Sequence, residues 1–184
     1  MKNLFLFLLL AAIVSCNAQT IYPLRTFSEI PSNSYLKDTN NELVEYVGTW
    51  KGTWDGKILL ITFKKITNKY DEDLGYYKDQ LIGRFKVIDS NGFIRYDNTS
   101  LPDSLVKIIG GKFRKLDDKY SLIYIDKDLC NTSGNIWLSF TTPSKTELKW
   151  ELYLGSNMIN ESCEYYNTNP FPSALPNQII LTKQ

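Results

Sequence analysis

The 184-residue chain contains no histidine, and this absence excludes more chemistry than any other feature of its composition. Without an imidazole there is no Ser-His-Asp or Cys-His nucleophile pair, no HExxH zinc site and no proton shuttle that titrates near neutral pH. The sequence also lacks a glycine-rich phosphate loop, a nucleophile elbow and a cysteine-rich zinc pattern. We therefore expect a protein that is not an enzyme and that uses no cofactor and no metal.

An excess of charge of either sign is missing as well. Lys and Arg number 21 against 20 Asp and Glu, so the chain lacks the basic field on which non-specific nucleic-acid binding depends. We expect no nucleic-acid partner, and the sequence does not indicate the oligomeric state. The length predicts a single domain with its own hydrophobic core.

No apolar run is long enough to span a membrane. The longest, Leu4–Val14, has eleven residues and follows Lys2, whereas a spanning helix needs about 20. A basic residue followed by about 7–15 apolar residues is typical of an export signal. Residues 1–18 are therefore predicted to be a signal peptide, and the protein is expected to be exported.

Two cleavage chemistries compete at the end of this signal. Ile13-Val14-Ser15-Cys16 resembles a bacterial lipobox, which implies a lipid on Cys16 and a cell-envelope lipoprotein that meets the membrane only through its anchor. Alternatively, Cys16-Asn17-Ala18 offers small residues to an ordinary signal peptidase. Cleavage after Ala18 would release a periplasmic or secreted chain that begins at Gln19.

Only three cysteines are present, and two remain for pairing if Cys16 is lipidated or removed. Cys130 and Cys163 form an even pair for an oxidising compartment. Their sequence separation of 33 corresponds to about 3–4 kcal/mol of stabilisation in the chain-entropy model. We predict a Cys130–Cys163 disulfide, with two free thiols as the alternative.

Beyond residue 42, apolar residues alternate with a period of two. Leu59, Ile61 and Phe63 share one face of a predicted strand, and no window of helical length carries a 3.6-residue stripe. Residues 19–42 are predicted to be an irregular lead-in, and residues 43–184 a single all-β domain. We expect an antiparallel meander of about eight to ten strands, closed as a lipocalin-like β-barrel or, alternatively, packed as a β-sandwich.

The start of this domain carries a family resemblance. Residues 42–50 read as a short helical turn that leads into Gly48-Thr49-Trp50, which resembles the opening of the lipocalin-like (calycin) barrels. The resemblance implies that Gly48 lets the first strand approach the closing end of the barrel and that Trp50 fills that end. As a whole, the chain resembles an uncharacterised, domain-of-unknown-function family of small exported bacterial proteins, which implies no known activity.

Strand aromatics are the candidate ligand contacts, although aromatic residues also fill cores. Trp54 lies four residues after Trp50, on the same face of the predicted strand, and could act as a stacking platform for a sugar ring or an apolar ligand. We predict a ligand site lined by Trp54, Trp137, Trp150 and Tyr124. Asp126-Lys127-Asp128 resembles a calcium loop, but it lacks a glycine at the sixth position and an acidic residue at the twelfth.

Two functions fit these patterns. In the first, a non-enzymatic barrel binds a small apolar or aromatic-compatible ligand, or a glycan. In the second, a structural or surface-interaction lipoprotein of the cell envelope has a filled core. An interior cavity of roughly 300 Å³ or more favours binding, and an interior at ordinary core density favours the structural function.

Intact-mass measurement of protein isolated from its own host tests the export prediction. We expect a mature chain that begins either at lipidated Cys16 or at Gln19, because the apolar run is too short to remain as a membrane-spanning helix. A mature protein that retains Met1 to Val14 would contradict the prediction.

Overall fold

The computed structural model describes residues 19–156 and 159–184, so the predicted signal peptide, with Cys16, lies outside the described residues. No helix in these two ranges is long and apolar enough to cross a membrane. Two short 3-10 helices occupy Glu42–Tyr46 and Lys127–Leu129. The strands found in the described ranges are β1 (Ile21–Pro23), β2 (Tyr35–Lys37), β3 (Gly48–Trp54), β4 (Lys57–Asp71), β5 (Tyr76–Ile88), β6 (Ile94–Asp97), β7 (Ile108–Phe113), β8 (Tyr120–Asp126), β9 (Thr132–Phe140), β10 (Glu147–Leu154) and β11 (Gln178–Lys183).

Eight of these strands close into an antiparallel barrel in the order β3-β4-β5-β7-β8-β9-β10-β11. The last strand pairs with the first, with Thr182 opposite Lys51 and Lys183 opposite Trp50. Successive barrel strands in the sequence are therefore neighbours in space, as in the up-and-down barrels that include lipocalins. The predicted all-β meander and its closure as a barrel are confirmed, and the sandwich alternative is wrong.

Large side chains fill the interior of the barrel. In β8, Tyr120, Leu122, Tyr124 and Asp126 are buried and the residues between them face outward, so a period of two in the sequence suffices to build the interior. At Gly83 a Cβ atom would lie only 3.1 Å from both Phe63 and Ile108. Neighbouring side chains thus already use the space beside this glycine. The largest aromatic side chains that are fully buried are Trp50, Trp150, Tyr120, Tyr124, Phe63, Phe85 and Phe113.

The lead-in is more regular than predicted. β1 pairs in parallel with β2, and β2 pairs in parallel with the start of β5, where Tyr35 lies opposite Tyr77. These strands extend the sheet beside the start of β5, and residues 78–83 of β5 are buried without interruption. Three-residue strands held by backbone pairing leave no hydrophobic period in the sequence, which is why the prediction missed them.

A buried carboxylate fixes the lead-in to the barrel. The Asp38 side chain is fully buried, and it accepts hydrogen bonds from the backbone N–H groups of Glu42 and Leu43 at 2.8 and 3.0 Å. Lys65 Nζ lies 2.7 Å from Asp38 Oδ2, the oxygen that also accepts from Leu43, and supplies the opposite charge. Asp38 thereby holds the start of the helix Glu42–Tyr46 against β4.

Trp50 lies at the end of the barrel beneath this helix. Its indole Nε1 donates a hydrogen bond to the carbonyl oxygen of Tyr46 at 2.8 Å, and its ring centroid is 6.4 Å from that of Phe140. Gly48, the first residue of β3, has a φ of 121°, which L side chains rarely adopt. This backbone angle, rather than a close approach, accounts for the glycine, because a Cβ there would make an ordinary 3.5 Å contact with Lys183.

Replacement of Trp50 tests its role in closing the barrel. Trp50→Ala removes a fully buried indole, so we expect the free energy of unfolding to fall by about 3–5 kcal/mol in denaturant titration. Trp54→Ala is the matched control, since Trp54 sits on the same face of β3 but is only half-buried. Equal losses from the two substitutions would contradict the assignment.

Buried tyrosines predict how stability depends on pH. Burial raises the pKa of the Tyr120 and Tyr124 hydroxyls, and the charge of Asp126 raises that of Tyr124 further. In the unfolded chain these hydroxyls ionise near pH 10. The folded state therefore holds these protons more tightly, and the resulting stabilisation is complete below about pH 10 and is lost as the pH rises further.

Thermal unfolding at a series of pH values measures this effect. We expect stability to stay nearly constant between about pH 6 and 9, where no histidine titrates, and to fall above about pH 10. Ultraviolet absorbance of the tyrosinate form should show that ionisation of the buried hydroxyls accompanies unfolding. Their ionisation in a chain that remains fully folded would contradict the prediction.

Candidate functional site

The four aromatic residues predicted to line a ligand site do not share a cavity. Trp150 is buried, and its Nε1 donates to the Pro176 carbonyl oxygen at 3.0 Å. Tyr124 is buried as well. Trp137 lies on the outer wall because it occupies an outward position of β9, and it packs against Tyr153 at a centroid distance of 4.3 Å. Trp54 is half-buried near the end of β3.

The two ends of the barrel are built differently. One, the closed end, carries the helix Glu42–Tyr46 and Trp50. The other, the mouth, carries the helix Lys127–Leu129 and the segment 159–177. Two residue pairs, Ile82 with Ile109 and Gly83 with Ile108, join β5 to β7. Beyond them toward the mouth, β6 pairs with β5 in place of β7.

A cleft of about 270 Å³ lies where β5 and β7 part. We call it the mouth cleft. Its lining combines aromatic, amide and charged side chains with the buried ring of Phe85. The polar and aromatic residues that line it are Arg95, Tyr96, Asp97, Asn98, Lys107, Asp126, Asp128 and Tyr165.

A buried ion pair forms the base of the mouth cleft. The Asp126 side chain is fully buried, and its Oδ1 accepts hydrogen bonds from Lys107 Nζ at 2.6 Å and from the Asp128 backbone N–H at 3.1 Å. Its Oδ2 accepts the Tyr124 hydroxyl at 2.9 Å. Burial by itself lowers the pKa of Lys107, but hydrogen bonds to Asp126 and Asp128 more than offset this and raise it. The lysine therefore stays charged and compensates the buried carboxylate.

This ion pair also explains the acidic sequence that resembles a calcium loop. Lys107 Nζ lies 2.6 Å from Asp128 Oδ2 as well as from Asp126, so an ammonium group sits between the two carboxylates. Among residues 19–156 and 159–184, no three acidic or cysteine side chains are grouped so that they could hold a metal ion.

Asn98 contributes a polar group without a partner. The residue is only 5% exposed, and its Oδ1 accepts a hydrogen bond from the Phe85 backbone N–H at 2.6 Å. Its Nδ2 has no hydrogen-bond partner among the described residues. A buried donor left in this state costs about 1–3 kcal/mol. The Gln80 Oε1 is also unpaired, but Gln80 lies further along β5 toward the closed end.

Two tyrosines supply aromatic walls. Tyr96 and Tyr165 are partly buried and pack against the core. Burial, together with the charge of Asp126, raises the pKa of Tyr96, and a hydrogen bond with Glu164 raises that of Tyr165. Both hydroxyls are therefore neutral near pH 7 and can donate as well as accept hydrogen bonds.

The disulfide holds two walls of the mouth cleft together. Cys130 and Cys163 are bonded, with a Cα–Cα distance of 5.7 Å, which confirms the predicted pair. Cys130 follows the helix Lys127–Leu129, and Cys163 precedes Tyr165 by two residues. The bridge therefore links the Asp128 wall to the Tyr165 wall.

One residue identified in the sequence analysis contacts the mouth cleft. Of the predicted ligand residues, Tyr124 contacts it, through its hydrogen bond to Asp126. Asn98 carries no periodic or motif signal for binding, since its burial results from pairing with a residue 13 positions earlier. Lys107 and Asp126 are 19 positions apart and meet only in the folded chain.

Comparison with known proteins places the chain in a family. Family of unknown function (DUF6705) matches residues 1–184. The chain belongs to this family. It matches no curated protein and no solved structure. The family confirms the resemblance to an uncharacterised group and assigns no activity, so a function for this DUF6705 chain has to be argued from its geometry.

Substitution of Lys107 tests the ion pair in this DUF6705 chain. Lys107→Met leaves the Asp126 carboxylate buried without its cation, and we expect a loss of about 3–5 kcal/mol in the free energy of unfolding. Lys107→Met combined with Asp126→Asn should regain much of this loss, because no buried charge remains. Lys115→Met, at an exposed lysine, is the matched control. An unchanged stability of Lys107→Met would contradict the assignment.

Proposed function

We propose that the chain is an exported, non-enzymatic binding barrel that recognises a small ligand in the mouth cleft. The observation that carries this proposal is the unpaired Asn98 Nδ2, buried in a residue that lines a cleft with aromatic and polar walls. Buried polar groups are nearly always hydrogen-bonded. A bound ligand would supply the missing acceptor.

The packed interior supports binding at the mouth rather than deep inside the barrel. Trp50 and Trp150 are completely inaccessible to solvent, and Tyr124 is 1% exposed. Phe85 contacts Tyr124 across the interior at a centroid distance of 6.4 Å. An apolar ligand in the interior would have to displace these rings, whereas the mouth cleft is already open.

Export is the second part of the proposal. The Cys130–Cys163 disulfide supports an oxidising compartment, since such bonds rarely persist in the cytosol. The apolar run Leu4–Val14 supports a signal peptide, and the lipobox-like residues before Cys16 support a bacterial envelope lipoprotein. Cleavage after Ala18 would instead give a periplasmic or secreted protein.

The position of the first described residues agrees with an anchor at the closed end. Gln19 Nε2 donates a hydrogen bond to the Asn33 carbonyl oxygen at 3.0 Å, next to the start of β5. This part of β5 belongs to the closed end, opposite the mouth. A lipid on Cys16, three residues before Gln19, would tether the closed end and leave the mouth cleft facing away from the membrane.

A structural or surface-interaction role in the cell envelope is the second candidate. It is favoured by the filled interior and by apolar side chains on the outer wall. Ile123, Ile125 and Tyr153 are each about 45% exposed. In this alternative the outer wall, rather than the mouth cleft, would contact a partner.

Native mass spectrometry of protein purified from its host and incubated with a small-molecule extract of the host envelope tests the proposal. We expect a retained small molecule that Asp128→Trp abolishes, because the indole would fill the cleft from its exposed rim. Asp73→Trp, at an exposed position in the β4–β5 turn, is the matched control and should retain the molecule.

Two results would contradict binding in the mouth cleft. Equal retention by Asp128→Trp and Asp73→Trp would place the ligand elsewhere. The absence of any retained molecule would favour the structural role.

A further inference from the structure

The size of the mouth cleft limits the ligand. Its volume of about 270 Å³ lies just below the range of drug-sized small-molecule sites, which run from about 300 to 1,000 Å³. A single ring with its substituents fits this space. An acyl chain or an extended polymer would have to leave most of its length outside.

The charges of the cleft are already paired with one another. Lys107 bridges Asp126 and Asp128. Asp97 pairs with Lys86 at 2.9 Å, and Arg95 pairs with Asp89 at 2.7 Å.

A ligand with a full charge would have to compete with one of these existing pairs for its partner. An anion would in addition meet three carboxylates, Asp97, Asp126 and Asp128, against two cations. The arrangement therefore favours a neutral ligand.

The remaining groups select a ligand with both C–H faces and hydroxyl groups. The negative ring faces of Tyr96 and Tyr165 attract weakly positive C–H groups. Asn98 Nδ2 needs an acceptor, and the Asp128 carboxylate, 82% exposed, can accept from a donor. A hydroxyl can do both, because it carries one donor and two acceptor lone pairs. A purely apolar ring would leave Asn98 unpaired.

We infer that the mouth cleft binds one neutral sugar ring, which stacks on Tyr96 and Tyr165 and accepts a hydrogen bond from Asn98 Nδ2 through a ring hydroxyl. The inference rests on the proposed function and names the class of ligand at the same site. It also accounts for the disulfide, which fixes the Tyr165 wall relative to the Asp128 wall.

Saturation-transfer NMR of the mature protein with single sugars tests the inference. The neutral probes are glucose, galactose, mannose and N-acetylglucosamine, and the charged probes are glucuronate and glucosamine. Toluene serves as the apolar ring. We expect at least one neutral sugar to bind more tightly than every charged or apolar probe.

Variants separate stacking from general disruption of the fold. Tyr96→Ala with Tyr165→Ala should weaken sugar binding by tenfold or more, whereas Tyr96→Phe with Tyr165→Phe keeps both rings and should retain most of it. Tyr153→Ala, on the outer wall, is the control and should leave binding unchanged. Asn98→Asp keeps the acceptor for Phe85 but removes the donor, so binding should also fall. Thermal unfolding of each variant identifies any loss of fold.

Three outcomes would overturn the inference, and they differ in what they leave standing. Binding of charged or apolar probes alone would exclude a neutral sugar and leave the mouth cleft as a ligand site. Sugar binding that persists after removal of both tyrosine rings would place the sugar site outside the mouth cleft. Absence of binding by every probe would exclude the sugar class. The proposed function would then hold only if the protein retains a molecule from the envelope extract and Asp128→Trp abolishes that retention.

Discussion

Pairing of the last barrel strand with the first is the constraint on which the rest of the structure depends. Lys183 lies opposite Trp50, so β11 closes the sheet on β3 and leaves neither strand as a free edge. Closure turns one face of every barrel strand into a common interior. It also places the C-terminal strand beside the helix Glu42–Tyr46, where Lys183 Nζ donates to the Glu45 carbonyl oxygen at 2.9 Å.

A full interior leaves the ends of the barrel as the places open to a ligand. With Trp50, Trp150 and Phe85 buried together, the inner surface that a lipocalin-like barrel can offer to a ligand is already occupied. At the closed end, Asp38 holds the lead-in across the opening. At the mouth, β5 and β7 part, and the space between them is lined by polar groups that are mostly paired. Asn98 Nδ2 is the exception found there.

Much of the fold could be predicted because its signals are local. Alternation such as Leu59, Ile61 and Phe63 depends on neighbours along one strand, and it defines an inner face whatever the remaining chain does. The disulfide followed from counting cysteines in a chain predicted to be exported. The lead-in strands gave no such signal, because pairs such as Ile21 with Tyr35 are backbone hydrogen-bonded and need no particular side chain.

The amino-acid sequence by itself determined the barrel strands, their inner faces, the partner of Cys130 and the exclusion of histidine chemistry. The tertiary structure alone decided whether the aromatic residues of the inner faces enclose a cavity or fill it. It also decided which polar atom lacks a partner. That outcome depends on two contacts between separate parts of the chain, Phe85 with Asn98 and Lys107 with Asp126. No local sequence pattern encodes these contacts, because hydrogen bonds and ion pairs form only at short distances, and the closed barrel sets those distances.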